Sequence, residues 1–342
     1  MNVSILLGKV YLTGLTKKHS YVKVESMNKK VISILAIFLL ILWVSDVSAF
    51  WIWTPETQRW INPKYSAKEN ARLQLEEVLK YYKSEQYTLS LREARKLVSY
   101  FPSAREAAEG QFYVGASLEK LNQYYDAYKA YQLAIEKYPF SERIMEMTQR
   151  QYEIGNLFLE GKVKHSWNSF LSGDEPAIEI FSSVIENAPY SEFAAASQYK
   201  LGLALLKDKR LYEAKEAFTK VLDNYSNSEW LEEAEYQIAV VTAKMSGGFD
   251  YDQAGASSAR RQLEDFIKEH PDTQLKTEAS KRVATLKEDE AQGNFNTAHF
   301  YEKQKAYKSA KIYYQYVIAN HPQSPWAKKA KERLAEIKEE NE

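Results

Sequence analysis

The chain of 342 residues contains no cysteine. That absence removes a disulfide scaffold, a thiolate metal site and a cysteine nucleophile together. It also removes a lipobox, whose acylated residue is a cysteine. An excess of charge is equally missing, because 46 basic residues balance 46 acidic ones. A nucleic-acid surface needs a basic face to neutralise phosphates, so no nucleic-acid partner is expected. Enzyme signatures are absent as well. There is no G-x-S-x-G, no H-E-x-x-H, no Walker A loop and no Rossmann glycine fingerprint. Among the five histidines, His270 and His321 each directly precede a proline, as Tyr138 does. They are positions of a pattern rather than metal ligands. Asp250-x-Asp252 is faintly similar to a calcium loop, but it lacks the later glycine and the bidentate glutamate, and it reads as a turn. The expectation is no catalytic residue, no cofactor and no metal.

Long apolar runs are scarce. Val31 to Val44, VISILAIFLLILWV, has 14 residues, fewer than the ~20 a membrane-spanning helix needs. Lys29 and Lys30 precede it and Val47-Ser48-Ala49 follow, which is the layout of a signal peptide cut after Ala49. Met27 reads as the start, and residues 1–26 as an extension. The alternative is an uncleaved inner-membrane anchor lengthened by Phe50 to Trp53, with Asp46 inside it. Either way the body of the protein is exported.

Residues 50–65, FWIWTPETQRWINPKY, hold Trp51, Trp53 and Trp60, three of the seven tryptophans. Pro55 and Pro63 forbid one long helix, so the stretch reads as an extended arm. Its rings either cap the first repeat or contact a partner or membrane surface.

What the chain does have is a repeat. In Leu201 to Ser228 a small residue, Gly202, is followed twelve positions on by Ala214, then by Phe218 and Val221 on the same helix face. The same spacing joins Gly115 to Ala127, with Tyr131, Ala134 and Pro139 behind, and Ala298 to Ala310, with Tyr314, Val317 and Pro322. Two copies have stretched turns: Gly155 with Ala177, Phe181, Val184 and Pro189, and Ala239 with Ala259, Leu263, Phe266 and Pro271. A weaker first copy ends Ser90, Ala94, Leu97, Pro102. Two helices cross closely only where small side chains meet, an aromatic four residues on fills the gap beside the crossing, and proline stops the second helix. This is the pattern of the tetratricopeptide unit, which buries its apolar face only by stacking. The expected fold is all-α, a right-handed tetratricopeptide-repeat solenoid of about six helix–turn–helix units with a C-terminal capping helix. The units fall at 66–102, 104–139, 142–189, 192–228, 230–271 and 291–322, with the cap at 324–341. Turns are inserted at 162–176 and 246–258, and a helix over 273–290 precedes the sixth pair.

An aromatic stands three residues before the crossing residue in five copies: Phe112, Tyr152, Tyr199, Tyr236 and Phe295. Lys120, Lys207 and Lys303 recur five residues after it. Stacked, these give a groove with an aromatic ladder and a basic edge for an extended or helical peptide. The competing reading packs the rings on the neighbouring repeat. Phe112, Tyr199, Phe295, Ala116, Leu203 and His299 stand where a two-carboxylate clamp would need Lys and Asn.

Several stretches resemble the outer-membrane barrel-assembly lipoprotein family, the BamD-like periplasmic repeat proteins. They are Phe249-Asp250-x-Asp252-Gln253, Ala259 and Phe266 with His270-Pro271-Asp272-Thr273, Ala279-Ser280-Lys281-Arg282, Leu286-Lys287 and Ala298-x-x-Tyr301, together with the tryptophan-rich arm. The resemblance implies a periplasmic scaffold at the outer membrane. Its implied partners are the barrel-assembly channel protein and unfolded outer-membrane proteins. With no acylated cysteine, membrane association is indirect or made by the arm. Two alternatives are a Tol–Pal-associated repeat protein, whose N-terminal coiled coil Lys64 to Lys80 is too short to form, and a helical-solenoid peptidoglycan enzyme, for which no catalytic domain is left.

Overall fold

The computed structural model describes residues 2–6, 9–13, 52–54, 59–61, 66–163, 175–247 and 253–339. The chain divides into two units, 1–66 and 67–342. In the first, β1 (Asn2–Leu6) pairs antiparallel with β2 (Lys9–Thr13), and β3 (Ile52–Thr54) pairs antiparallel with β4 (Arg59–Ile61). The segment expected to be an extended arm is therefore folded back on itself. Ile, Trp and Thr are strand-forming types. Trp53 and Trp60 face each other across the pair, with centroids 5.7 Å apart edge to face, the geometry aromatic neighbours prefer. Trp51, the apolar run 31–44 and the cleavage position after Ala49 lie outside the described residues.

The described part of the second unit is helical, and its helices associate in consecutive antiparallel pairs. They are α1 (Ala71–Lys83) with α2 (Tyr87–Tyr100), α3 (Glu106–Lys120) with α4 (Tyr124–Lys137), and α5 (Ile144–Leu159) with α6 (Glu175–Asn187). There follow α7 (Glu192–Lys207) with α8 (Leu211–Asn224) and α9 (Leu231–Met245) with α10 (Gln253–Glu269). The long α11 (Lys276–Lys303) then pairs with α12 (Tyr307–Asn320), and α13 (Pro325–Glu339) closes the series. The turn expected over 246–258 is shorter than that, because Gln253 to Ser258 already belong to α10. Residues 164–174 and 248–252, with the acidic turn at Asp250, lie outside the described residues.

The crossings are steric fits. A methyl group added to Gly115 would lie 2.5 Å from Cε1 of Tyr131, one on Gly202 2.5 Å from Cε1 of Phe218, and one on Gly155 2.9 Å from Cε1 of Phe181. All three rings are fully buried. In the fifth pair Leu263 takes the place of the ring, and Ala239 takes the place of the glycine.

Each first helix ends in one way. Glu85, Asn122, Gly161, Lys209, Gly247 and Lys305 have φ between 58° and 69°, the left-handed region. In five of these turns the following N–H reaches back to close the helix: Gln86 to Tyr81, Gln123 to Leu118, Lys162 to Leu157, Arg210 to Leu205 and Ala306 to Tyr301, all at 2.9–3.0 Å. These are Schellman caps, which satisfy otherwise orphaned carbonyls.

A buried polar device accompanies the crossings. Gln74, Gln111 and Gln198 each donate from Nε2 to a carbonyl of the paired helix, those of Glu93, Ala130 and Ala217, at 3.0 Å. The long helix α11 serves two layers. Ala279 and Val283 of its first half pack with Leu263 and Phe266 of α10, whereas Ala291 and Ala298 of its second half pack with Tyr314 and Val317 of α12.

Candidate partner-binding face

The five ladder rings sit on the first helices of the second to sixth pairs, one turn before the crossing, so each points toward the next layer. Each is covered by a residue of that layer. The Arg143 guanidinium lies 4.3 Å over Phe112. Phe193 lies 5.4 Å from Tyr152, with Lys200 Nζ 4.6 Å from the same ring. Trp230 stacks on Tyr199 at 4.9 Å. Arg282 lies 5.8 Å over Tyr236 and donates to its hydroxyl. Trp326 lies 5.2 Å from Phe295. Phe112, Tyr199 and Tyr236 are consequently buried, while Tyr152 and Phe295 are half-buried. The surface open to a partner is therefore largely the covering residues rather than the rings.

Ion pairs join the layers beside the ladder. Arg143 binds both oxygens of Glu109 at 2.7 Å and Glu146 at 2.7 Å, and these hydrogen bonds to Glu109 hold its guanidinium above its ordinary value. In the second pair the Tyr131 hydroxyl donates to Glu119 at 3.0 Å, and Arg150 of the next layer donates to the same carboxylate at 3.3 Å. The sixth pair repeats this with Tyr314, Glu302 and Arg333. Burial alone would raise the Glu302 carboxyl, but Arg333 and Tyr314 outweigh it and hold it below the carboxylate range. Burial and the neighbouring Glu278 push the Tyr236 hydroxyl up to about 12.

Lys120, Lys207 and Lys303 are the last residues of α3, α7 and α11, and all are exposed. At a helix C-terminus a cation complements the macrodipole, and Lys207 donates to the Leu159 carbonyl at 3.1 Å. A recess of about 190 Å³ opens on this face between Tyr82, Tyr113, Glu119, Arg143 and Arg150. A larger one of about 1010 Å³ runs along the loop edge at Arg105, Tyr138 and Phe140 and reaches Glu109 and Arg143. Among the described residues no group of three His, Asp or Glu converges as a metal site, and no helix is long and apolar enough to cross a membrane.

The covering residues were missed by a reading confined to single repeats. Their signal is a spacing of thirty-one positions from ring to cover, which relates Phe112 to Arg143, Tyr199 to Trp230 and Phe295 to Trp326. The longer turns obscure it in the other two copies. The buried glutamines had a signal too, a position four residues before the crossing residue at Gln111, Gln151 and Gln198.

Stacked helix pairs held by shared rings and ion pairs define a tetratricopeptide-repeat scaffold for protein interaction. Residues 109–141 match the tetratricopeptide repeat family, and residues 165–341 match the outer membrane lipoprotein family (YfiO). The second match spans just over half of the chain, and the chain belongs to that family. No cysteine is present in its sequence to carry a lipid. No curated protein matches the chain. Solved structures similar to it include the C-terminal part of a TPR repeat-containing protein from Cytophaga hutchinsonii, at 18% identity and TM-score 0.35, covering 77% of this chain and 88% of that one. Another is a tetratricopeptide repeat protein from Parabacteroides merdae, at 13% identity and TM-score 0.33, covering 78% and 98%. A third is MamA from Desulfovibrio magneticus, at 15% identity and TM-score 0.32, covering 61% and 99%.

Proposed function

We propose that this chain is an exported, non-catalytic scaffold of the cell envelope that works in outer-membrane protein assembly. It binds the barrel-assembly channel protein and unfolded outer-membrane proteins through the ladder face of its repeats. The observation that carries the reading is the family match over 165–341, which takes in α6 to α13. The ladder face supports it: rings, guanidinium groups and carboxylates in layers offer a peptide both apolar and polar contacts. Membrane association is indirect or through the Trp53 and Trp60 hairpin. The test is crosslinking in intact envelopes with the tagged full chain, followed by identification of the captured proteins and sequencing of the mature N-terminus. Capture of the barrel-assembly channel protein, with an N-terminus at Phe50, is the expected result. Capture of Tol–Pal components or of cell-wall enzymes instead would overturn the assembly role. An intact N-terminus in the inner membrane would overturn the outer-membrane location.

A further inference from the structure

The arginines that line the ladder face are each paired with carboxylates. Arg143 is neutralised by Glu109 and Glu146, Arg150 by Glu119 and Glu153, Arg282 by Glu278, and Arg333 by Glu302 and Glu336. Lys200 of α7 is held just as firmly, but by neutral groups alone. Its ammonium donates to the Tyr152 hydroxyl at 2.8 Å and to Asn156 Oδ1 at 2.6 Å. It sits 4.6 Å over the Tyr152 ring and 5.9 Å from the Trp230 ring. Among the described residues no ion pair reaches it. Glu160, the acid that feels its charge, is bound by Lys162 at 2.5 Å.

An ammonium has three N–H groups. Two are used, and they fix the position of the third. The side chain is half-buried, so part of its hydration is lost, and two neutral acceptors with two ring faces replace it only in part. A fixed, partly desolvated cation with no ion-pair partner among the described residues binds an incoming anion at little cost in side-chain entropy. From this arrangement we infer that Lys200, at the seam between the third and fourth pairs, is an anion subsite that takes one carboxylate of an extended partner peptide. A phosphate, with three strong acceptor oxygens, asks for more donors than the one N–H left here. The flanking Tyr152 and Trp230 rings suit the backbone and side chains of a peptide. The subsite rests on the reading of this face as peptide-binding.

The carboxylate can come from an Asp or Glu side chain or from a chain terminus. A randomised nine-residue peptide library, in one form with a free C-terminus and in another amidated, separates the two when selected on the immobilised full chain. Enrichment of acidic residues in both forms identifies a side-chain carboxylate, and enrichment only in the free-ended library identifies the terminus. In either case Lys200→Met is expected to lose at least tenfold of the acid preference while keeping the apolar preference, and Lys200→Arg to retain both. Two measurements need no variant of the protein. Replacing the acid of the selected peptide by its amide should weaken binding to the unaltered chain about tenfold, the scale of one charge-assisted hydrogen bond. Carbodiimide should join that carboxylate to Lys200 rather than to the exposed Lys162 or Lys207. Equal acid preference on Lys200→Met, or coupling only to Lys162 or Lys207, overturns the subsite and leaves the peptide-binding face standing. No enrichment of any peptide on the unaltered chain overturns both.

Discussion

Gly202 shows how little freedom the repeat leaves to single residues. A methyl group there meets the fully buried Phe218 ring at 2.5 Å. Gly202→Ala should therefore cost about 1–3 kcal/mol, the range of overpacked cores. Phe218→Leu in the same chain should recover part of that loss, because the fifth pair joins Ala239 to Leu263 at the same positions. A coupling energy above about 1 kcal/mol in the thermal or denaturant unfolding of the two single variants and the double variant is the expected reading. Additive losses would mean that crossing and ring are independent. Tyr199 follows the opposite logic from the one its spacing implies. It lies between Phe218 and Trp230 and is 8% exposed. Tyr199→Ala should cost about 3–5 kcal/mol as a large-to-small core change, visible as a lower melting temperature without any partner present. The crossing residues were legible in the sequence because the clash that selects them is local to one helix pair. The burial of Tyr199 was not, because the residue that covers it stands thirty-one positions away, in the next layer.

At the scale of elements, the ends of the first helices carry information that their middles do not. Gly161 has φ of 69° and nothing within 4 Å of the place a β-carbon would occupy. Gly161→Ala should therefore measure the backbone cost of the left-handed cap alone, about 1 kcal/mol. Lys209 holds the same conformation with a side chain, at φ of 64°, so Lys209→Gly should gain a few tenths to about 1 kcal/mol. Opposite shifts of the melting temperature in the two variants are expected. A loss in Lys209→Gly would mean that its side chain makes a contact worth more than the strain. These caps also explain which boundaries could be read. Five of the six second helices end at a proline, which announces itself in Pro102, Pro139, Pro189, Pro271 and Pro322. Four of the six left-handed caps are Glu, Asn or Lys, residues with no such announcement. The two tryptophan strands were misread as one extended arm for a related reason. Three-residue strands are too short for alternation to show, and the Trp53 to Trp60 pairing is visible only once the chain has turned.

For the whole repeat array, the place where layers change hands is the middle of α11. Apolar packing stops there between Leu286 and Ala291, and a polar group fills the gap. Glu290 is buried, accepts the Tyr316 hydroxyl at 3.0 Å, and lies 3.2 Å from Arg260 Nε. His321, at the end of α12, faces this group. Its Nε2 is 4.0 Å from Glu290 and has no hydrogen-bond partner, and its side chain is 8% exposed. Burial lowers its affinity for a proton. Glu290 and Glu288 act the other way, Arg260 and Lys287 add to the lowering, and the net shift is below the ordinary imidazole value. An undocked His321 thus takes up a proton before the docked one does. Stability from the neutral ring is present above about pH 6.5, the ordinary value, and is lost as pH falls through the lowered one. Acidification from pH 7 to pH 5 should therefore loosen α12 and α13 while α3 and α4 stay protected. Hydrogen exchange, corrected for the intrinsic effect of pH, resolves the two regions. His321→Gln keeps a polar side chain that does not titrate, and it should remove the difference. Equal loosening in His321→Gln would mean that the acid sensitivity does not come from this histidine.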